Sequence, residues 1–251
     1  MNQARENYTP GYTPNALDFM SRRTAESHAA FFLPHLKAGM RLLDCGCGPG
    51  GITIELAQRV SPGDVIAIDL GGVQLERARD RASAANAHVT FREASVYSLP
   101  FRDAEFDAVF SHALFEHLAE PLEALEEIRR VLKPGGCVGL RSPDWGGFVL
   151  HPWSEKLASA LVDYQAMQRA NGGDVFAGRK LAAWLRQAQF ARIHASAAYE
   201  IYPSAAFIAD YLAQQLDSNR RDESAAALRD WAKEPDAMFA QAWFEAIGYK
   251  R

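Results

Sequence analysis

Three cysteines in 251 residues are too few for a disulfide framework. Two of them form Cys45-x-Cys47, with no second Cys/His pair at ligand spacing, so no metal site is expected. A reduced, cytoplasmic compartment is the expectation that follows. No apolar run reaches the roughly 18 residues needed to span a membrane. Residues 1–10 are polar and lack the apolar centre of a signal peptide. There is no basic run, and 27 Lys and Arg stand against 31 Asp and Glu, a net charge of −4. That balance removes the electrostatic case for a nucleic-acid partner. Repeats and low-complexity segments are also missing. What is present is a 48% hydrophobic, 23% charged chain, enough to bury a full core. Its length suits one large domain, or one domain with an appended cap.

The most informative stretch is Leu42-Leu43-Asp44-Cys45-Gly46-Cys47-Gly48-Pro49-Gly50, an apolar run ending in an acid and three spaced glycines. A buried strand that ends in such a loop brings bare backbone against a ligand. A helix opens directly behind it, at Ile52 to Ala57. Further strands are expected at Val65 to Asp69, Val89 to Arg92, Phe106 to Ser111 and Cys137 to Arg141, alternating with helices. One helix is expected before the first strand, from Ser21 to Leu36. Another begins at Pro121, where proline suits a first turn, and stops at Lys133-Pro134-Gly135-Gly136. This alternation implies a doubly wound α/β fold with a mostly parallel sheet. Ligands of such sheets sit at the carboxyl ends of the strands, here the tips at Asp44, Asp69 and Ser111-His112.

Beyond the fifth strand the pattern changes. Long helices are expected from Pro152 to Ala170 and Gly178 to Gln187, then a strand from Ile193 to Tyr199. Three more helices follow, the last from Asp236 to Ile247. The division expected is an extended arm or lid over residues 1–20 and a ligand-binding core over 21–142. Residues 143–251 add the rest of the sheet, about 178–200, and a helical C-terminal cap over 143–177 and 201–251. A final antiparallel strand is expected to be short, displaced or missing.

Two ligands compete for the glycine loop. A dinucleotide needs Gly-x-Gly-x-x-Gly and a helix N-terminus facing a pyrophosphate. The spacing here is Gly46-x-Gly48-x-Gly50, and Asp44 just ahead would repel a diphosphate. A ligand carrying an ammonium and a sulfonium, such as S-adenosylmethionine, suits that carboxylate. Asp69, 19 positions after Gly50, can accept ribose hydroxyls of either ligand.

At these residues the chain resembles the class I S-adenosylmethionine-dependent methyltransferases, in particular the small-molecule type that includes the ubiquinone and menaquinone biosynthesis enzymes. Leu42–Gly50 matches the first motif and Val65–Asp69 the acidic second. Ser98-Leu99-Pro100-Phe101 with Phe106-Asp107-Ala108-Val109, and Arg130-Val131-Leu132-Lys133-Pro134-Gly135-Gly136, match the stretches before the fourth and fifth strands. The resemblance implies S-adenosylmethionine as cofactor. It places Cys45, Gly46 and Gly48 under the methionine moiety and Asp44 towards its ammonium. It places Arg23 on the carboxylate, Asp69 on the ribose, and Leu70, Ser95 and Val96 around adenine. Ser111 and His112 fall near the methyl group. Tyr12 of the arm and Gln74 complete the expected cofactor set. Ser95 stands where many relatives have Asp.

Methyl transfer is a single displacement, served by alignment and exclusion of water, so no residue type is obligatory. His112 is the expected base if one is used. Glu116-His117 reads as a packing and capping pair. The acceptor is expected to be a small, planar or lipophilic molecule, held by His112, Phe115, Trp145, Phe148, Trp153, Tyr211 and Trp243. Tyr8 and Tyr12 are expected to fold over the cofactor as a lid. The alternatives are a non-catalytic S-adenosylmethionine binder, or an enzyme of the same fold using the cofactor for another reaction.

Overall fold

The computed structural model describes residues 7–11, 13–202 and 204–251. Its centre is a seven-stranded sheet in the order β3-β2-β1-β4-β5-β7-β6. The strands are β1 Leu42–Cys45, β2 Val65–Asp69, β3 Val89–Glu93, β4 Phe106–His112, β5 Leu132–His151, β6 Ala191–Ile201 and β7 Met238–Tyr249. The first five are parallel, and β7 runs antiparallel between β5 and β6. In chain order the helices are α1 Pro14–Ser21, α2 Ala25–His28, α3 Gly51–Val60, α4 Gly72–Ala84, α5 Pro121–Val131, α6 Glu155–Ala170, α7 Ala177–Gln187, α8 Ala205–Ser218 and α9 Asp222–Trp231. No helix among the described residues is long and apolar enough to cross a membrane.

Both faces of the sheet are covered, as parallel strands require. On one face Leu43, Ile66, Val109 and Leu140 meet Leu125 and Ile128 of α5 and Leu181 and Leu185 of α7. On the other, Leu42, Val65, Ala108 and Phe110 meet α2, α3 and Phe32. Gly139 makes the second contact possible, because a Cβ there would overlap the Phe32 ring. A third cluster joins α1, α6, α8 and α9 to Trp145 and Phe239 at the far ends of β5 and β7. This helical layer lies beyond the carboxyl end of β5.

Three sequence expectations need correction. The residues 236–247 form no helix, and Met238–Tyr249 is the long antiparallel strand β7. Its apolar residues mimic helical spacing because β7 is inside the sheet and buried on both faces, so period-two alternation is lost. Gly248 on this strand lets α7 approach: a Cβ there would lie 3.3 Å from Leu185 of α7 and 3.1 Å from Phe190 just beyond it. The expected helix over Ser21–Leu36 is broken into α2 and a 3₁₀ turn at Leu33–His35. Thr24 caps α2 by accepting from the Ser27 amide, and Pro34 stops continuation. Lastly, the first 20 residues are not wholly extended. Pro14–Ser21 forms α1, capped by Thr13 and tied to α8 by Asn15 donating to Asp210 at 2.7 Å.

Candidate active site

The loop after β1 turns on Gly46, Gly48 and Gly50, at φ of 76°, 53° and 79°, backbone that favours glycine. A side chain at Gly48 would also strike the Gln74 amide oxygen at 2.8 Å. The loop's amides are spent internally. Those of Gly46 and Cys47 donate to the Ile68 carbonyl, and that of Gly48 donates to Asp69 Oδ2 at 2.9 Å. A loop with its donors committed in this way is poorly suited to an anionic pyrophosphate.

Two carboxylates flank it. Asp44 is buried and accepts from Thr53 Oγ1 at 2.6 Å. Burial pushes its carboxyl up to about 7, partly opposed by the Thr53 bond. Asp69 accepts from the Gly71 amide at 2.8 Å as well as from Gly48. Burial raises its carboxyl too, and these amide bonds counter the rise. Gln74, on α4, is buried with its amide oxygen unpartnered. These groups border a cavity of about 440 Å³ over the carboxyl ends of β1, β2 and β4.

A second, narrower cavity of about 50 Å³ adjoins the first, and Tyr8, Met20, Arg23, Ala113 and His117 belong to the walls of both. Its remaining wall is rich in aromatics, with Phe19, Trp145, Tyr164, Tyr202, Tyr211 and Trp243. The guanidinium of Arg23 lies 5.7 Å from the Phe19 ring and 5.8 Å from the Trp243 ring, an arrangement of cation over aromatic faces. Arg23 sits in the break between α1 and α2, which is why it reaches the shared wall. Among the described residues no carboxylate pairs with it.

Of the residues expected to hold a cofactor, Arg23, Asp44, Gly46, Gly48, Asp69, Leu70, Gln74, Ser95 and Val96 border the larger cavity, with His112. Cys45 and Ser111 border neither. Both are buried beneath the loop, where Ser111 Oγ donates to the Cys45 carbonyl at 2.9 Å and ties β4 to β1. Tyr12 lies outside the described residues. Of the expected acceptor contacts, Trp145, Tyr211 and Trp243 border the smaller cavity. Phe115 instead packs in the core near Trp184, Phe148 stacks on Phe239, and Trp153 is 62% exposed.

His112 departs from the expectation of a base. A guanidinium only donates, so Nε2 accepts from Arg141 at 3.0 Å and Nδ1 carries the ring proton. Burial holds the imidazole well below its usual range, and the positive charges of Arg23 and Arg141 hold it lower still. The ring stacks on Trp243, 5.0 Å between centroids. Arg141 is in turn held between Glu200 and Glu245, at 3.6 and 3.5 Å.

Sequence reasoning treated Glu116 and His117 as structural and gave Tyr8 only a lid role. Glu116 borders the smaller cavity, accepting from Ser142 Oγ at 2.9 Å, and burial pushes its carboxyl up to about 7. His117 is held neutral by burial and by Arg23, its imidazole lowered to about 3. Tyr8 meets the His117 ring edge-on at 4.9 Å. The one signal in the sequence was a carboxylate inside the apolar run Leu114-Phe115-Glu116-His117-Leu118, just after a strand tip.

Comparison with known proteins adds to this geometry. The profile of a family described as "Methyltransferase domain" matches residues 43–140. The chain is 34% identical, over 70% of its length, to an uncharacterized methyltransferase of Schizosaccharomyces pombe, and spans 66% of that protein. It is 30% identical to a demethylmenaquinone methyltransferase of Lactiplantibacillus plantarum, over 64% of this chain and 74% of that one. Among solved structures, the YcgJ protein from Bacillus subtilis superposes with a TM-score of 0.64 at 18% identity, over 88% of this chain and 97% of that one.

Proposed function

This chain belongs to the class I S-adenosylmethionine-dependent methyltransferases, and on that premise we propose that it methylates a small, planar aromatic molecule by direct displacement. The observation that carries this reading is the pair of adjoining cavities with Arg23 in their common wall. The residues of the larger cavity fit the cofactor. Two carboxylates and a loop with spent amide donors suit a cationic ligand. Arg23 has no described carboxylate partner and is free to take one from the ligand, and the unpartnered Gln74 oxygen awaits a donor. In this assignment Arg23 holds the methionine carboxylate, Asp69 accepts from the ribose hydroxyls, and Asp44 faces the ammonium. Leu70, Ser95 and Val96 surround adenine.

When bound, the cofactor supplies a methyl group on a sulfonium, an electrophile that needs no further activation. The chain's own part is positioning. The aromatic wall excludes water and presents flat faces to the acceptor. The shared wall at Ala113 and His117 fixes where acceptor and methyl group meet. The smaller cavity is narrow enough to admit only the reacting end of an acceptor. The name of the Lactiplantibacillus plantarum relative specifies a demethylmenaquinone, a quinone-ring acceptor, which supports a planar substrate.

The test is transfer of a deuterated methyl group from labelled S-adenosylmethionine to a panel of naphthohydroquinones, catechols and aliphatic amines, read by mass spectrometry. Labelled aromatic product is expected, with KM raised at least fivefold by Trp145→Ala or Tyr211→Ala. Labelling of aliphatic acceptors alone, or an unchanged KM in both variants, contradicts the reading.

A further inference from the structure

We propose that Glu116 is the catalytic base that removes a proton from the acceptor, and that the acceptor is therefore an acidic hydroxyl compound of the phenol or hydroquinone class. The proposal rests on the methyltransferase reading above.

The argument begins with position. Glu116 lies in the 3₁₀ turn Phe115–His117 that follows β4, and it borders the aromatic cavity. Ala113 just before the turn and His117 at its end border both cavities. Glu116 thus belongs to the acceptor side, next to the residues where the two chambers meet. It is 3% exposed, yet among the described residues no arginine or lysine neutralises it by direct contact. Ser142 Oγ donates to Oε2 at 2.9 Å, and Oε1 is 3.7 Å from His117 Nε2, which is neutral. Oε1 therefore keeps its capacity to accept a proton. A buried carboxylate without a cationic partner is costly, and this one borders the chamber left for the substrate.

The surrounding groups fit a base and exclude rivals. Arg23 faces Glu116 from the segment between α1 and α2 and favours its charged form. Tyr8 of the N-terminal segment, Tyr164 of α6 and Tyr211 of α8 face it as well, and its charge helps keep Tyr8, Tyr164 and Tyr211 protonated. His117 is held neutral by burial, and His112 borders the other cavity with Nε2 occupied. Among the described residues of the aromatic chamber, Glu116 is the group ready to take a proton near neutral pH, since burial sets its carboxyl at about 7.

The balance is simple. The acceptor O–H bond breaks and its proton goes to Glu116 Oε1. The electron pair stays on oxygen and forms the new O–C bond, while the methyl group's bond to sulfur breaks with its pair going to sulfur. The proton returns to solvent after product leaves. A tertiary amine or a thioether has no proton to give this carboxylate and needs no base.

Two readouts test the assignment. The first needs no turnover: an infrared difference titration of wild type against Glu116→Gln, both with S-adenosylhomocysteine. A protonated carboxyl band growing in as pH falls through about 7 is expected; a carboxylate still ionised at pH 5 overturns the proposal. The second is the rate with 1,4-naphthohydroquinone and catechol beside trimethylamine and dimethyl sulfide. Glu116→Gln is expected to lower kcat on the hydroxyl acceptors by about 10²–10⁴-fold, with S-adenosylhomocysteine affinity within twofold of wild type. Glu116→Asp should recover part of the rate. Ser142→Ala, which keeps the carboxylate but removes its donor, should move the acid limb of the pH profile upward. Unchanged kcat in Glu116→Gln, or methylation confined to the amine and thioether, overturns it. Failure of wild type to bind S-adenosylhomocysteine would instead strike the underlying reading.

Discussion

Asp44 and Glu116 are buried carboxyls with no cationic side chain in contact among the described residues, and each is set near 7 by burial. Their unfolded-state value lies near 4. Between about pH 4 and 7 the folded chain therefore binds more protons than the unfolded one, and stability falls as pH rises through that window. Above 7 both are ionised and the destabilisation is fully present. Asp44→Asn should accordingly raise the Tm of the ligand-free protein at pH 8, by about 2–6 °C, with the gap closing towards pH 4. Differential scanning calorimetry across that range checks it; a Tm lowered equally at all pH values would refute the linkage. His112 behaves differently, because burial and the nearby positive charges favour its neutral form and the ring serves Arg141 and Trp243. His112→Ala should weaken cofactor binding and turnover by similar factors and leave the acid limb of the pH profile in place. Loss of turnover alone would restore it as a base. At this scale the sequence announced Asp44, Asp69 and the glycines through their spacing. It could not announce Glu116, since a carboxylate beside a 3₁₀ turn looks like a cap until the cavity behind it is seen.

Among the elements, the parallel half of the fold was readable because β1, β2 and β4 are short buried runs, the first two ended by a glycine loop or an acid. The C-terminal half was not. β7 carries Phe239, Ala242, Trp243 and Ala246 at helical spacing, and alanine favours helices. Only its place between β5 and β6 decides for a strand, and that is non-local information. The break between α1 and α2 was equally hidden, although it delivers Arg23 to the site. Contacts across these elements make their own predictions. Phe19 of α1 stacks on Tyr211 at 3.9 Å and Phe207 at 5.1 Å. Phe19→Ala should cost about 3 kcal/mol of local packing and speed amide hydrogen exchange over residues 14–21, leaving β1 and β4 protected. Uniform acceleration across the sheet would show that α1 is not a separate docking unit. Gly139→Ala should drive a methyl group into Phe32 and destabilise by about 1–3 kcal/mol, measured by denaturant unfolding; an unchanged midpoint would show that the ring has room to move.

The molecule as a whole divides its work between two layers. The sheet and its glycine loop form a chamber of about 440 Å³ suited to a cationic nucleoside. The helical layer of α1, α6 and α8 closes an aromatic chamber against it, and Arg23 and Tyr8 belong to both. This arrangement explains why the cofactor was legible from motifs and the acceptor was not: the first chamber is made by local sequence, the second by residues up to 235 positions apart (Tyr8 and Trp243). The central claim is that the glycine loop, with its amides committed and its two carboxylates bordering the cavity, selects an S-adenosyl amino acid over a dinucleotide. Titration calorimetry of the purified chain with S-adenosylhomocysteine and with NAD, on wild type and Asp69→Ala, tests it most directly. Saturable binding of S-adenosylhomocysteine, weakened at least tenfold in Asp69→Ala (about 1.4 kcal/mol), and no heat with NAD are expected. Binding of NAD without S-adenosylhomocysteine, or an affinity indifferent to Asp69, would contradict it.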